Sequence, residues 1–206
     1  MVGSDLQHNN RVTPNNIARC LVYMHMIKYL IVCLFGLVLL TDDWYQYRSL
    51  DGMMEFRSPV LMRGSTDVAL TSIGDINLNI YKSAEKDSFD TKYTVTYYEL
   101  PIYVNMESDS MFRDMTEVNI ESMLEVSGSS LNYSEVESIK DGYKRTFRIS
   151  YNDNYVSKSV IQTNGTHLVN AQCFVPIDRS LNSNIDAFFD QVVLYNLAHN
   201  LENRQR

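Results

Sequence analysis

Apolar and polar side chains alternate along several segments of this 206-residue chain. Asparagines separate the aliphatic residues of 76–80. In the segment 143–151, every second residue from Tyr143 onward is aromatic or aliphatic, except for Arg145. Residues 92–99 are so rich in β-branched and aromatic side chains that they are typical of a central strand. Because successive side chains of a strand point to opposite faces, a period of two predicts half-buried strands. A sheet must therefore form the centre of the fold.

Turn residues divide these segments into a meander. Asn164-Gly165 supplies the two residues with positive φ that a type I′ turn requires, so it predicts a β-hairpin. Further reversals are predicted at 140–142 and 152–154, which are rich in Asp, Asn and Gly. The strands that follow from this pattern lie near 74–82, 92–99, 131–139, 143–151, 155–162 and 167–175.

Two segments instead show the spacing of three and four residues that indicates amphipathic helices. The first begins at a cap formed by Ser108 or Asp109 and ends at Ser127-Gly128. Its predicted inward residues are Met111, Phe112, Met115, Val118, Ser122 and Met123. The second begins at Ser183 with Asp186 as a capping-box partner, and its predicted inward residues are Ile185, Phe188, Phe189 and Val192. Strands with one apolar face together with such helices predict an α+β domain, an antiparallel sheet of about six or more strands flanked by helices.

Composition excludes several classes of protein. With 8 Gly, 4 Pro and 3 Cys, the chain is not collagen-like, disordered or a disulfide scaffold. Its 18 basic and 25 acidic side chains leave a net charge of −7, which argues against nucleic acid as a partner. The acidity predicts a solvated surface, with docking to a cationic partner as the alternative.

The unbroken apolar run at 29–40 predicts export from the cytoplasm. A helix of this length reaches about 18 Å, which is short of the ~30 Å thickness of a bilayer core. Preceded by Lys28, the run matches the layout of a secretory signal, and initiation at Met26 would place it directly after a short basic lead. The alternative is an uncleaved anchor that spans the membrane with residues 20–40. We therefore expect a leader over 1–41, a single domain over 42–206, and a periplasmic, secreted or membrane-anchored protein.

The sequence offers no recognisable catalytic motif. Residues 42–206 hold only two histidines, and His167 lies about 20 Å from Cys173 if both are on one strand, too far for a nucleophile and its base. Cys173 is predicted to be a small buried hydrophobe. The acidic segments 85–90 and 107–109 lack the spacing of a calcium loop and are predicted to be solvated. We therefore predict no catalytic residue, no cofactor and no metal site, so that the chain is not an enzyme.

Exposed tyrosines are the remaining candidates for a site. The chain has 14 Tyr, and aromatic side chains are enriched in protein interfaces. The predicted contact patch consists of Tyr97, Tyr98, Tyr103 and Tyr155.

The order of these elements resembles a known family. The opening segment 44–59 with its Trp44, the long helix at 108–126, the Gly142-Tyr143 turn and the segment 188–192 resemble small exported bacterial domains with the PsbP-like fold. The resemblance covers nearly all of residues 44–195. It implies an α/β/α sandwich, an antiparallel sheet between helices on its two faces, and a role in binding other macromolecules rather than in catalysis.

These observations predict a non-catalytic, exported or membrane-tethered domain that binds a protein partner in the envelope or at a membrane. If the leader stays uncleaved, residues 29–40 also contact the membrane. The alternative is a carrier that holds a small apolar ligand in a cavity between sheet and helix. A third class is an enzyme whose polar groups converge only in three dimensions.

Overall fold

The structure is a computed structural model that describes residues 44–71, 74–83, 91–101, 108–152 and 154–196. The predicted leader with its apolar run, Tyr103 and the acidic segment 85–90 lie outside these ranges. Within them, no helix has both the length and the apolar character needed to cross a membrane.

The described residues form ten strands, two α-helices and one short 3₁₀ helix at Ile177–Arg179. The helices are α1 (Asp109–Leu124) and α2 (Ser183–Asp190). The strands are β1 (Tyr45–Arg48), β2 (Met54–Ser58), β3 (Met62–Thr71), β4 (Gly74–Ser83), β5 (Lys92–Glu99), β6 (Ser129–Ile139), β7 (Gly142–Tyr151), β8 (Tyr155–Thr163), β9 (His167–Pro176) and β10 (Val193–Leu194).

These strands form two antiparallel sheets. The large sheet has seven described strands in the order β3-β4-β5-β9-β8-β7-β6, and the small sheet has the order β1-β2-β10. The predicted meander β6 to β9 is confirmed, and it pairs with the rest of the large sheet through β5 and β9. The pairing of β5 with β9 joins strands that precede α1 in the chain to strands that follow it. Strand β3 was not predicted from the sequence.

Each face of the large sheet has its own apolar cluster. On the face that α1 covers, here called the helix face, Phe112 and Ile120 pack with Phe147 and Leu168. On the opposite face, here called the hairpin face, the β1-β2 hairpin and α2 cover a second cluster. Its central members include Phe56, Val95, Val169, Cys173 and Phe188. The α+β class is therefore confirmed, but the helical flanking is modest, because a small sheet and an eight-residue helix cover the hairpin face.

The hairpin between β8 and β9 is confirmed, but its turn differs from the predicted type I′. Among the described residues other than glycine, only Asn152 has a positive φ, so Asn164 does not take the expected conformation. Instead, the Oδ1 atom of Asn164 accepts hydrogen bonds from the backbone N–H groups of Thr166, at 3.2 Å, and His167, at 2.8 Å. The asparagine thus shapes the turn through its side chain, and only Gly165 supplies a positive φ, of 94°.

Helix α1 begins at the predicted cap, but it ends at Leu124, before the predicted stop at Ser127-Gly128, and only part of its predicted face is buried. Ser108 caps it by accepting from the backbone N–H of Met111, yet Met111 and Val118 are 45% and 65% exposed rather than buried. The buried residues are Phe112, Thr116 and Ile120, spaced by four. A threonine can occupy this face because its hydroxyl donates to the carbonyl oxygen of Phe112 at 2.7 Å.

Helix α2 begins at Ser183 and ends at Asp190, so the predicted inward residue Val192 is buried but lies beyond the helix. Its cap lies one position earlier than predicted. The side chain of Asn182 accepts from the backbone N–H of Asn184 and so takes the capping role that was assigned to Ser183. Ile185 and Phe188 are buried as predicted.

Arg145 is one of the alternate residues of β7 whose side chains are buried, as its place in the sequence pattern predicts. Its guanidinium side chain is 7% exposed and forms an ion pair with Glu117 at 2.5 Å. It also donates to the hydroxyls of Thr116, at 2.8 Å, and Ser134, at 2.9 Å. The buried charge is therefore compensated, and it connects α1 to β6 and β7.

Candidate functional site

The structure contains a pocket on each face of the large sheet. One, of about 310 Å³, lies on the helix face between α1 and strands β3, β4, β5, β8 and β9, and we call it the helix pocket. The other, of about 380 Å³, lies on the hairpin face, where Asp51, Asp75 and Glu99 contribute carboxylates, and we call it the acidic pocket. Within the described ranges, no group of three or more His, Cys, Asp or Glu side chains is arranged to hold a metal ion.

Asp51, from the loop between β1 and β2, is held at the acidic pocket by several donors. Its carboxylate accepts from the Ser49 hydroxyl at 2.5 Å, the Met53 backbone N–H at 2.9 Å and the Tyr97 hydroxyl at 2.5 Å. The Nε2 atom of His167 lies 3.9 Å from the same carboxylate, and its ring stacks on Tyr97 with the centroids 5.7 Å apart. Tyr97 and Asp51 therefore attach the loop to the large sheet.

These contacts set the charge states of both groups. Burial acts to raise the pKa of Asp51, but the hydrogen bonds from Ser49, Tyr97 and Met53 outweigh it and hold the pKa below its ordinary value. Burial and the neighbouring carboxylate together raise the pKa of the Tyr97 hydroxyl far above its usual range. At neutral pH the pair is thus an anion and a neutral donor, the arrangement of a structural hydrogen bond.

Three groups of the kind used in nucleophilic catalysis lie close together beside Tyr97, namely the hydroxyl of Thr166, the ring of His167 and the carboxylate of Asp51. The hydroxyl of Thr166 lies 2.9 Å from Nδ1 of His167, and Asp51 faces the other ring nitrogen. The distance of 3.9 Å between His167 and Asp51 exceeds the range of a hydrogen bond that would orient the ring. Thr166 also lines neither of the two pockets. The geometry does not support nucleophilic catalysis by this group.

Cys173 and His167 occupy the same face of β9, six residues apart, as the sequence reading assumed. Cys173 is fully buried in the cluster on the hairpin face. Burial raises the pKa of its thiol to about 12, so the group stays protonated and unreactive.

The three described tyrosines of the predicted contact patch do not share one surface. Tyr97 is only 2% exposed, so its assignment to an exposed patch is wrong. Its neighbour Tyr98 points to the helix face, where it lines the helix pocket, and burial raises the pKa of its hydroxyl to about 12. Tyr155 is 42% exposed and stacks on Phe174 with centroids 5.2 Å apart. Tyr97 and Tyr98 lie on opposite faces of the large sheet, because neighbouring residues of one strand point to opposite sides.

The helix pocket is lined by both apolar and polar residues. Its apolar lining includes Ile76, Leu78, Met115, Ile161 and Leu168. Asn170 also lines it, and the side-chain oxygen of this residue is buried without a hydrogen-bond partner among the described residues. The sequence reading missed Asn170, although an asparagine within a buried β-rich segment is the signal that could have identified it.

The outer strand β3 is the other feature that the sequence reading missed. It pairs with β4 over ten consecutive residues, from Met62 with Ser83 to Thr71 with Gly74, without a bulge. On the hairpin face it presents Val68 and Leu70, which are 52% and 82% exposed. Asp75, opposite Leu70 on β4, lines the acidic pocket.

No protein-family model matches the chain, and no curated protein matches it. Among solved structures, the chain is similar to the solution structure of cyanobacterial PsbP (CyanoP) from Synechocystis sp. PCC 6803. The two are 16% identical with a TM-score of 0.48, and the match covers 75% of this chain and 94% of that one. The PsbP-like resemblance stays a prediction from the sequence.

Proposed function

We propose that the chain is a non-catalytic protein-interaction domain, exported or membrane-tethered, that binds an extended segment of an envelope protein along strand β3. The observation that carries this proposal is the regular edge of β3, which among the described strands pairs with β4 alone. Export rests on the apolar run at 29–40 and on the signal-like layout around it.

Strand β3 lacks two features that often protect an outer strand, a proline and a β-bulge. It contains one arginine and one aspartate, and its ten-residue register is continuous. The other outer strand of the described sheet, β6, also carries two charged residues, Glu135 and Glu137, but it has a register shift between Leu131 and Tyr133. A bulge of this kind discourages edge pairing, whereas a long regular edge accepts an added strand.

The surroundings of β3 indicate the chemistry of the partner. Val68 and Leu70 offer apolar contacts on the hairpin face, next to the carboxylates of Asp75, Glu99 and Asp51 at the acidic pocket. The chain as a whole carries a net charge of −7. A complementary segment is extended and places apolar and cationic side chains on the same side.

The test is capture of the partner with the affinity-tagged full chain from envelope extracts of its native cell. Val68→Lys combined with Leu70→Lys adds positive charge where the partner is expected to be cationic, so we expect recovery of the partner to fall at least tenfold. Val118→Lys is the matched control, because Val118 is 65% exposed but lies on α1, on the other side of the large sheet. Equal recovery by the double variant and by the wild type would contradict the proposal.

A second function is favoured by the helix pocket. A cavity of about 310 Å³ between the large sheet and α1 is within the lower range of small-molecule sites. This is the location that a carrier of a small apolar ligand requires.

A further inference from the structure

The hydrogen bonds of the large sheet show which residues of β3 face its outer edge. The backbone N–H of Leu100 donates to the carbonyl oxygen of Thr166, so the even-numbered residues of β5 bond to β9. Because successive residues of a strand direct their backbone groups to opposite sides, the odd-numbered residues of β5 face β4. The register carries this alternation across β4 to β3. The residues of β3 that direct their N–H and C=O groups away from β4 are therefore Met62, Gly64, Thr66, Val68 and Leu70.

Side chains of the protein itself already bond two of these outward N–H groups. The hydroxyl of Tyr47 accepts from the backbone N–H of Met62 at 2.6 Å, at the beginning of the strand. The Oδ1 atom of Asp67 accepts from the backbone N–H of Val68 at 2.8 Å. Val68 lies between Thr66 and Leu70, whose N–H groups also point outward, so Asp67 interrupts the edge where an added strand would bond.

The carboxylate of Asp67 is exposed and has no cationic partner. Within the described ranges, no ion pair includes this residue. Its side chain lies on the helix face, as those of Ala69 and Thr71 do, because alternate residues of a strand share a face. An uncompensated carboxylate on an outer strand repels acidic segments and attracts cationic ones.

An added strand must take the N–H of Val68 for one of its own carbonyl oxygens, so the Asp67 carboxylate must leave it. In an antiparallel strand, the residue directly opposite Asp67 belongs to a non-hydrogen-bonded pair, because Asp67 directs its backbone groups toward β4. Side chains of such pairs lie close together, with their Cβ atoms ~4.5–5.5 Å apart. A cationic side chain at this position gives the displaced carboxylate a new partner.

We infer that Asp67 controls the outer edge of β3: its carboxylate caps the edge in the unbound protein and selects a segment with a lysine or arginine directly opposite it. This inference rests on the proposed binding along β3 and names the residue that sets its specificity. An uncharged segment must displace the carboxylate without compensation, whereas a segment with a cation at this position replaces the lost hydrogen bond by an ion pair.

The experiment uses two nine-residue peptides as probes. The first is Thr-Val-Thr-Val-Lys-Val-Thr-Val-Thr, and the second has norleucine in place of the lysine. With the lysine opposite Asp67 in an antiparallel strand, the valines direct their backbone groups to β3 and their side chains to the hairpin face, beside Val68 and Leu70. N-methyl groups on the threonines block the other edge of each peptide and so prevent self-association.

Fluorescence anisotropy of the labelled peptides with the full chain should give an affinity about three- to fivefold higher for the lysine peptide, the contribution of one cross-strand ion pair. The position of binding is read from backbone amide resonances. Those of Gly64 and Leu70 on β3 should shift, whereas that of Glu135 on β6, the other outer strand of the described sheet, should stay in place.

Two variants separate the role of Asp67 from a general effect of charge. Asp67→Ala leaves the N–H of Val68 uncapped, so it should bind the norleucine peptide about fivefold more tightly than the wild type does and should lose the preference for lysine. Asp114→Ala is the matched control, because it removes the same charge from an exposed position on α1. It should keep both affinities and the preference.

The outcomes distinguish this inference from the proposed function on which it rests. Equal affinity of the wild type for both peptides, or a preference for lysine that survives in Asp67→Ala, would overturn the role of Asp67 while leaving strand addition along β3. Absence of binding by both peptides would overturn the two together. Sedimentation of the free chain as a dimer that either peptide dissociates would assign the edge to a second copy of this chain and would also overturn both.

Discussion

At the scale of single residues, the hydrogen bond between Tyr97 and Asp51 makes the stability of this protein depend on pH. The carboxylate accepts from Ser49, Met53 and Tyr97, and its pKa is held below the ordinary value. A carboxyl group whose pKa is lowered by folding stabilises the folded state above its unfolded pKa, and this contribution is lost as the pH falls through the folded pKa.

We therefore expect that Asp51→Asn will flatten the dependence of unfolding free energy on pH below about 4, the ordinary range of an aspartate. Tyr97→Phe should lower the unfolding free energy at pH 7 by about 1–2 kcal/mol, because one charge-assisted hydrogen bond is lost. Urea unfolding at a series of pH values measures both effects.

Tyr155→Phe is the control for the second substitution, since Tyr155 is 42% exposed and is held by ring stacking on Phe174. It should leave the midpoint unchanged. An Asp51→Asn variant with the same acid dependence as the wild type would show that other carboxylates determine the acid response.

At the scale of elements, the turn after α1 depends on the backbone of Gly128. This glycine has a φ of 78°, and an added Cβ would lie 1.7 Å from the side-chain oxygen of Asn152. Its carbonyl oxygen also accepts from the backbone N–H of Asn152 at 2.9 Å, which joins the end of α1 to the turn between β7 and β8. A side chain at Gly128 must therefore strain the backbone and displace Asn152.

Gly128→Ala should lower the unfolding free energy by about 1–3 kcal/mol, since a left-handed conformation alone costs an alanine ~1–2 kcal/mol. Gly64→Ala in β3 is the control, because its Cβ would meet Tyr81 at an ordinary 3.5 Å. That change should leave stability unchanged or raise it by about 0.5–1 kcal/mol. Equal losses in the two variants, measured by denaturant unfolding, would contradict the conformational explanation.

At the scale of the whole molecule, the large sheet has one apolar cluster on each face, and different elements cover the two clusters. Strand β9 contributes Leu168 to the cluster on the helix face and Val169 to the cluster on the hairpin face. Because neighbouring residues of one strand belong to different clusters, loss of packing on either face weakens the strand that both require. We expect the described domain to unfold as a single cooperative unit.

Phe147→Ala tests this expectation from the helix face, where Phe147 is fully buried. The substitution should lower the unfolding free energy by about 3–5 kcal/mol. Trp44, the only tryptophan of the chain, packs against the cluster on the hairpin face and reports that face by fluorescence. Fluorescence and far-ultraviolet circular dichroism should give the same lowered midpoint in the variant, whereas a Trp44 transition left at the wild-type midpoint would show that the two clusters unfold separately.

Local patterns in the sequence determined most elements of this protein. Residues 92–99 form a strand with the predicted bounds, Ser108 caps α1 as expected, and Gly128 has a positive φ in the turn that follows this helix. These features depend on neighbours along the chain, since alternation, a capping hydroxyl and a positive φ act over a few residues.

Tertiary structure alone decided which of these elements meet and which side chains are covered. It paired β5 with β9, made β3 an outer strand of the described sheet, and turned Thr116 and Ile120 toward the sheet instead of Met111 and Val118. The contact between Tyr97 and Asp51 joins residues 46 positions apart, and the empty space beside Asn170 exists only between a strand and a helix. Burial and pockets arise from packing between distant segments, and no pattern of adjacent residues specifies them.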